Sequence, residues 1–341
     1  MPRVRFLTLN FFLRPPGISE KNSQGDWKNE RMELFAQREF PNYDIIAFQE
    51  TFLSLSTRRA TLIRLAAQQG LVHVAAGKSQ PIWRLKVDAG LLVVSRFPVV
   101  ATDEWTFGRG TEIGDWLAAK GVLYARIRLP RENDDVVDDD RHLHLFSTHF
   151  QSTDSPRAKE LRMRQFFEAK RFIDRKLGCD ADGKNCGKKP QDAVLFVGDM
   201  NVDARKSAED GKNHADEYLR MLDIYSGRAM DPAACPGEGG GDGSLNFFVN
   251  DVAHDALGEH PITTSRLRVG PGHPEPDKKC IDFILDFAPR DAFKAAAESG
   301  IIDAPPPVVA YENVRVEKFL IDGQPFSSLS DHFGVAADMV W

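Results

Sequence analysis

The sequence predicts a layered α/β or α+β fold, in which helices pack on the faces of β-sheet. Short runs rich in Val, Ile, Leu or Phe recur along the chain, each bounded by Gly, Pro, Asp or Asn, and this pattern is typical of strands. Several of these runs are apolar almost throughout, as expected of strands that are covered on both faces. Segments with the apolar period of amphipathic helices lie between them.

The elements follow in chain order from these patterns. Eight strands are predicted, at Val4–Asn10, Ile45–Glu50, Ala89–Ser95, Val122–Leu129, His142–Thr148, Ala193–Asp199, Ile281–Phe287 and Phe333–Val340. Four helices are predicted, at Lys28–Gln37, Arg58–Gln69, Pro156–Lys176 and His214–Leu222. The acidic stretch 131–141 lies between two predicted strands and indicates a solvated hairpin tip, because clustered carboxylates repel one another.

Composition limits the function classes. The chain has 341 residues, of which 42% are hydrophobic and 28% charged, so it can bury a large core as one domain or two. Its net charge of -6 argues against a surface that neutralises many phosphates, and nucleic acid is therefore an unfavoured partner. No run of about 18 apolar residues predicts a membrane span. The start, MPRVRFLTLN, shows no secretory signal, so we expect a soluble or peripheral membrane protein.

The four cysteines do not form a recognisable framework. Cys179, Cys186, Cys235 and Cys280 are too few and too scattered for a disulfide scaffold or a Cys-x-x-Cys zinc site. Cys179 and Cys186 bracket a turn-rich segment. A small disulfide loop and a reduced surface loop both remain open for this segment.

Polar residues able to bind metal or transfer protons follow six apolar runs. They are Asn10, Gln49 with Glu50, His149 with Gln151, Asp199 with Asn201, Asp282, and Asp331 with His332. One such residue alone is usually a cap or a turn former. Together they supply hard oxygen ligands for a divalent cation, two histidines and carboxylates to orient them. The sequence therefore predicts a metal-assisted catalytic site at the strand ends.

The order of four short motifs resembles the endonuclease/exonuclease/phosphatase superfamily. GDMN at 198–201 and SDHFGV at 330–335 are specific, and QE at 49–50 and T-H-x-Q at 148–151 occur in the matching order. The resemblance covers nearly the whole chain. It implies one catalytic domain over residues 1–341, of α+β class, with two packed, mostly antiparallel sheets flanked by helices in a four-layered sandwich. It also implies a Mg²⁺-dependent phosphodiesterase or phosphatase in which water attacks phosphorus.

The resemblance also implies a metal site. Glu50 supplies an anionic oxygen ligand and Asn10 a neutral carbonyl oxygen, with Asp331 close by. Mg²⁺ usually keeps several waters, so few protein ligands suffice, and Mn²⁺ is a possible substitute. Taken alone, Asn10 would be read as a turn residue and Glu50 as a solvated carboxylate.

Catalytic roles are implied in the same way. His332 is expected at the attacking water or the scissile phosphate, with Asp282 accepting its other ring proton. Asp199 and Asn201 are expected to position the attacking water. His149 is expected to bind a phosphate oxygen and to stabilise the charge that develops there.

Two further segments resemble the neutral sphingomyelinase branch. They are DAGLLVVSRFPVV at 88–100 and GDWLAAKGVLYARI at 114–127. Asp115 lies five residues before Lys120, and this pair is expected beside the site, where it would contact or gate the substrate. Gln151 is a further candidate for substrate contact, or it only caps its loop. The alternative for Lys120 is a solvated cation at a helix end.

The expected substrate is sphingomyelin or a related phospholipid, reached by peripheral contact with a membrane surface. Exposed aromatics would supply that contact, and the candidates, each of which could equally be core, are Trp83, Phe247, Phe248 and Phe326. One alternative is a nuclease, or a phosphatase of inositol phosphates or nucleotides, on the same fold. Another is a catalytically silent binding module.

Overall fold

Two six-stranded sheets form the centre of the molecule. The computed structural model describes residues 2–19, 24–53, 56–77, 88–108, 120–130, 141–178, 187–229, 247–269, 272–289 and 308–341. The first sheet, in spatial order, contains β13 (Ala310–Glu317), β14 (Gly334–Val340), β1 (Arg3–Leu13), β2 (Ile45–Thr51), β4 (Leu92–Ser95) and β3 (His73–Ala76). β1 and β2 are parallel, and the other neighbours in this sheet are antiparallel.

The second sheet has the same number of strands. In spatial order it contains β11 (Phe247–Asp251), β12 (Asp282–Pro289), β8 (Ala193–Asp199), β7 (His142–His149), β6 (Gly121–Arg128) and β5 (Val99–Thr106). β7 and β8 are parallel, whereas the other pairs are antiparallel. β6 and β7 flank the acidic stretch as predicted for a hairpin, while its residues 131–140 lie outside the described residues. A short ribbon joins β9 (Arg205–Ser207) to β10 (Asp210–His214).

Helices cover the outer face of each sheet. These helices are α1 (Lys28–Arg38), α2 (Arg58–Gln68), α3 (Pro156–Leu177) and α4 (Asp216–Tyr225). The short α5 (Val252–Leu257) instead packs Val252 and Ala253 into the cluster between the sheets. α3 begins where Ser155 accepts a hydrogen bond from the amide of Ala158 and Pro156 occupies the first helical turn. No helix in the described ranges is long and apolar enough to cross a membrane.

Three apolar clusters separate four layers. The central cluster contains Val93 from the first sheet and Leu195 from the second, so the sheets pack face to face. A second cluster packs α1, with Phe35, onto the first sheet. A third packs α3, with Phe166, onto the second sheet. This arrangement of helices, sheet, sheet and helices confirms the predicted four-layered sandwich.

The strand register places the strand-end residues together. In the first sheet Asn10 lies opposite Gln49, beside Glu50. In the second sheet Asp199 lies opposite both His149 and Asp282. Because the carboxyl ends of parallel strands meet at one edge, the two parallel pairs bring their terminal polar residues to the same side.

The eight predicted strands and four predicted helices all occur, with shifted ends. The helix predicted at His214–Leu222 begins only at Asp216, because His214 pairs in β10, opposite Arg205. The four edge strands, β3, β5, β11 and β13, were not predicted. Most of their residues are half-exposed, and they lack the strong apolar pattern of central strands. Cys280 is a buried free thiol, and Cys179, Cys186 and Cys235 lie outside the described residues.

Candidate active site

The ends of the central strands meet the loop before β14 in one polar cluster. The structure brings together these predicted residues: Asn10, Glu50, Lys120, His149, Asp199, Asn201, Asp282, Asp331 and His332. Most of their side chains are buried, so polar groups face one another in a region largely removed from bulk water. In such a region, charges interact more strongly than they do at the surface.

Asn10 lies between two carboxylates. Its Nδ2 donates to Glu50 Oε1 at 3.2 Å and to Asp199 Oδ2 at 3.0 Å. Its Oδ1 accepts from the amide of Phe12 at 3.2 Å. The amide thus presents N–H groups to the acids, and it would present its oxygen to a cation only after the side chain turned.

Glu50 and Asp331 are two acids of the site that repel each other. Glu50, the residue before the last of β2, lies in the left-handed backbone region, with φ of 57°, where its Cα packs against the chain at Gly90. Burial, together with the Glu50 carboxylate, raises the pKa of Asp331 to about 7, although the positive charge of His332 opposes this rise. Oδ1 of Asp331 has no hydrogen-bond partner among the described residues. Two acids that repel each other and an unpartnered carboxylate oxygen fit a hard divalent cation.

His332 is paired with Asp282 as predicted from the resemblance. Its Nδ1 lies 2.9 and 3.2 Å from the two carboxylate oxygens of Asp282. Its Nε2 lies 3.8 Å from Asp199 Oδ2. Burial opposes a charge on the ring, but the carboxylates of Asp282 and Asp199 outweigh it and raise the pKa of His332 well above its ordinary value. The surrounding carboxylates therefore favour the protonated imidazole, and Asp282 fixes its orientation.

Asp199 lies at the centre of the cluster. Burial raises its pKa to about 6 against the favourable charge of His332. Its Oδ1 accepts from the amide of Asn201 at 2.9 Å. Asn201 adopts φ of 52°, and its side chain donates to the carbonyl of Phe150 at 3.0 Å. The left-handed turn at Asn201 thus aims a backbone donor at Asp199 and leaves Oδ2 facing both histidines.

Lys120 and His149 form a buried pair. Nζ of Lys120 lies 2.6 Å from Nε2 of His149, and Asp199 Oδ2 lies 3.3 Å from the same nitrogen. Burial and the Lys120 charge lower the pKa of His149 well below its ordinary value. Lys120 is only 4% exposed, so it is not a solvated cation at a helix end. Asp115, its predicted partner, lies outside the described residues.

Gln151 anchors the loop after β7. Its amide donates to the side chain of Gln165, and its carbonyl accepts from the buried Arg162, both on α3. Its side-chain nitrogen donates to the carbonyl of Ser152 at 3.0 Å. These contacts agree with the loop-capping alternative.

Three supporting residues were not predicted as part of the site. Thr263 Oγ1 accepts from the amides of Ile281 and Asp282, and its carbonyl accepts from the amide of Phe333. Ser330 is fully buried beside His332, whose amide donates to its hydroxyl. Arg31 on α1 is fully buried and donates to carbonyls of β1 and of the loop before Ser330. A charged residue on the apolar face of the predicted helix was the only sequence signal for Arg31.

Two of the candidate membrane-contacting aromatics belong to the core. Phe247 packs against Phe287, with ring centroids 5.3 Å apart, and Phe326 packs against Trp27 at 5.9 Å. Both are almost fully buried, so neither can insert into a lipid surface. Phe248 is half-buried, and Trp83 lies outside the described residues.

Comparison with curated proteins finds sphingomyelinases. A sphingomyelinase of Dictyostelium discoideum is 27% identical over 471 aligned positions, which cover 98% of each chain. Sphingomyelinase C of Bacillus cereus is 25% identical, over 70% of this chain and 69% of the relative. No family model matches the chain.

Solved structures agree on the fold. Sphingomyelinase C from Streptomyces griseocarneus superposes with a TM-score of 0.57 at 21% identity, covering 99% of both chains. A beta toxin mutant from Staphylococcus aureus, solved with bound magnesium ions, gives 0.57 at 17% identity, covering 98% of both. An endonuclease/exonuclease/phosphatase from Beutenbergia cavernae gives 0.56 at 15% identity, covering 99% of this chain and 72% of the other. The chain therefore has the same fold as these proteins, and its sequence is similar to sphingomyelinases.

Proposed function

We propose that this protein is a divalent-metal-dependent phosphodiesterase that hydrolyses sphingomyelin, or a closely related phospholipid, to ceramide and phosphocholine. The observation that carries the proposal is the convergence of Glu50 and Asp331 with the His332–Asp282 pair around Asp199. Hydrolysis of a phosphodiester needs a charged ligand set and an oriented water, and this cluster offers both. Similarity along the whole chain to a sphingomyelinase supports the choice of substrate.

Glu50 and Asp331, with the side-chain oxygen of Asn10, are the residues that would hold Mg²⁺ or Mn²⁺. Their oxygens are hard donors, and the mutual repulsion of the two acids favours a cation between them. A bound divalent ion supplies neutralisation of the negative charge on the phosphate. The bound magnesium ions of the beta toxin structure support this choice of metal.

The remaining residues orient water. Nε2 of His332 and Oδ2 of Asp199 are 3.8 Å apart, so one oxygen atom can contact both. In-line displacement places the attacking and leaving oxygens on opposite sides of phosphorus, and two groups this close therefore act on the same oxygen. Protonated His332 donates to a water whose own proton faces ionised Asp199. Asp199 accepts that proton as the new P–O bond forms and the bond from phosphorus to the ceramide oxygen breaks, and the departing ceramide oxygen takes a proton from solvent.

His149 contacts the same Asp199 oxygen, and together with Lys120 it provides positive charge and ring nitrogens. Their contact at 2.6 Å is buried, so Lys120 acts without the screening that water gives a surface lysine. We infer that they stabilise charge on the non-bridging phosphate oxygens. Peripheral contact with the lipid surface belongs to this proposal, and the buried Phe247 and Phe326 take no part in it.

A substrate panel tests the proposal. The purified protein is assayed with Mg²⁺ and with EDTA on sphingomyelin and phosphatidylcholine micelles, duplex DNA and inositol phosphates, with Asp199→Asn as the inactive control. We expect Mg²⁺-dependent release of phosphocholine from sphingomyelin and weak cleavage of DNA. Preference for DNA or an inositol phosphate by about tenfold in kcat/KM, or about 1.4 kcal/mol, would contradict the substrate assignment.

A further inference from the structure

Three histidines form a second polar cluster, beside the second sheet. The elements that carry them provide none of the residues of the proposed active site. His214 ends β10, His254 lies in α5 and His260 follows α5. Each ring offers a nitrogen, and these three nitrogens all lie within 4.8 Å of one another. The ring centroids are 4.5 to 5.0 Å apart. One imidazole from β10 and two from the segment around α5 thus lie together.

His260 is held in the orientation of a metal ligand. Its Nε2 lies 2.8 Å from Nδ1 of His214, so this nitrogen points into the cluster. Its Nδ1 has no hydrogen-bond partner among the described residues and lies 3.8 Å from Oδ2 of Asp251. The side chain of His260 is fully buried. A histidine that binds metal through one nitrogen usually directs the other toward a carboxylate or carbonyl.

Asp251 is itself fixed in place. Its Oδ2 accepts from the hydroxyl of Tyr218 at 3.0 Å, and its Oδ1 accepts from the amide of His254 at the start of α5. The carboxylate is therefore a prepared acceptor behind His260. Asp251 also lies on the same short segment as two of the three histidines, His254 and His260.

The electrostatics favour neutral rings. Burial, and to a smaller extent the charges of the neighbouring His254 and His214, lower the pKa of His260 to about 3. Burial likewise lowers the pKa of His214. Metals bind the neutral imidazole, so these rings need not lose protons at neutral pH. The alternative is an aromatic cluster without a ligand, in which His214 stacks on Tyr218 at 5.6 Å.

We propose that His214, His254 and His260 form a binding site for a transition-metal cation of the Zn²⁺ class, with Asp251 positioning His260. Three imidazoles suit Zn²⁺, Co²⁺, Ni²⁺ or Cu²⁺ and do not suit Mg²⁺, which prefers oxygen. Nitrogens bound to tetrahedral Zn²⁺ at about 2.0–2.1 Å lie roughly 3.3 Å apart, so small rotations of the three rings suffice.

The site's role is structural. The backbone amide of His260 donates a hydrogen bond to the carbonyl of Gly211. The carbonyl of His260 accepts one from the side chain of Arg205 at 2.5 Å. Three residues later, Thr263 supports the backbone at Asp282 and Phe333. A metal bound at His260 would therefore hold the segment that supports the His332–Asp282 pair.

Metal binding to untagged, metal-free protein tests the proposal. Mg²⁺ is present in excess to occupy the oxygen site, Zn²⁺ content is measured by mass spectrometry, and Co²⁺ is followed by its visible absorption. We expect one Zn²⁺ per chain, a tetrahedral Co²⁺ spectrum and a higher Tm. Glu50→Gln and the exposed His273→Ala should keep all three signals.

His254→Ala and His214→Ala, both half-buried positions, should lose the bound Zn²⁺ and the rise in Tm. Asp251→Asn should weaken Zn²⁺ binding about 10- to 100-fold. The proposal is wrong if the unmodified protein binds no Zn²⁺, if both histidine variants keep it, or if Glu50→Gln alone removes it.

Discussion

Ser330 Oγ donates a 2.6 Å hydrogen bond to the main-chain carbonyl of Asn10, which precedes it by 320 residues. The same Oγ accepts from the amide of His332 at 3.3 Å. One buried hydroxyl thus joins the first strand to the last loop, and it fixes the distance between the proposed metal ligands and the His332–Asp282 pair.

Ser330→Ala should lower kcat severalfold with little change in KM, because the loop can then shift relative to Asn10. The buried carbonyl loses its partner, at a cost of about 1–3 kcal/mol, and Tm should fall by several degrees. Ser207→Ala, on the exposed edge of the ribbon, is the matched control. Unchanged kcat in Ser330→Ala would show that the hydroxyl has no positioning role.

Asp282→Asn removes a carboxylate that raises the pKa of His332. The pKa of His332 should fall, so the protonated ring is lost at a lower pH. The alkaline limb of the profile of kcat/KM against pH should move to lower pH. His332→Ala should reduce kcat at least about a hundredfold with little loss of Tm. An alkaline limb that stays in place in Asp282→Asn would contradict the role of protonated His332.

Lys120→Met removes the charge but keeps most of the side-chain volume. We expect kcat to fall about 10- to 100-fold, with folding intact by circular dichroism. The pKa of His149 should rise, since Lys120 contributes to its depression. NMR titration of the ring measures that change. Lys206→Met, at a position 54% exposed, should behave as the unmodified protein.

Metal binding should strengthen with pH. The raised pKa values of Asp199 and Asp331, about 6 and 7, mean that these two carboxyl groups bind more protons in the metal-free folded state than in the unfolded chain between about pH 4 and 7. Their contribution to stability in EDTA should therefore decline as pH rises through this window. Mg²⁺ needs the ionised carboxylates, so the increase in Tm that it produces should be larger at pH 8 than at pH 5.

Glu50→Gln is the matched variant for this experiment. It removes one proposed ligand, and it also removes a charge that raises the pKa of Asp331. The Mg²⁺-induced increase in Tm should shrink at both pH values, and the decline of stability in EDTA should be smaller. An increase in Tm that is equal at pH 5 and pH 8 would argue against carboxylate ligands.

Local patterns in the sequence predicted the central strands and the residues at their ends. Asn10, Asp199 and His332 follow apolar runs, and the strands bring them together. The orientation of the Asn10 amide could not be predicted, because it depends on Glu50 and Asp199 from other strands.

Contacts between distant segments left no local signal. The Lys120–His149 contact depends on the start of β6 lying beside the end of β7. The three histidines of the second cluster come from β10 and from the segment around α5, without a motif spacing. His214 was assigned to a helix because its neighbours have a helical period, whereas pairing with Arg205 holds it in a strand.

The left-handed backbone at Glu50 makes this residue a poor choice for stability alone. A glutamate there carries both an unfavourable φ of 57° and a charge that repels Asp331. Asparagine tolerates this backbone region and carries no charge, so Glu50→Asn should raise the Tm of the metal-free protein while removing a ligand of the proposed metal site. A library sorted only for heat resistance would therefore enrich inactive variants at position 50, and directed evolution of this protein needs selection for turnover in every round.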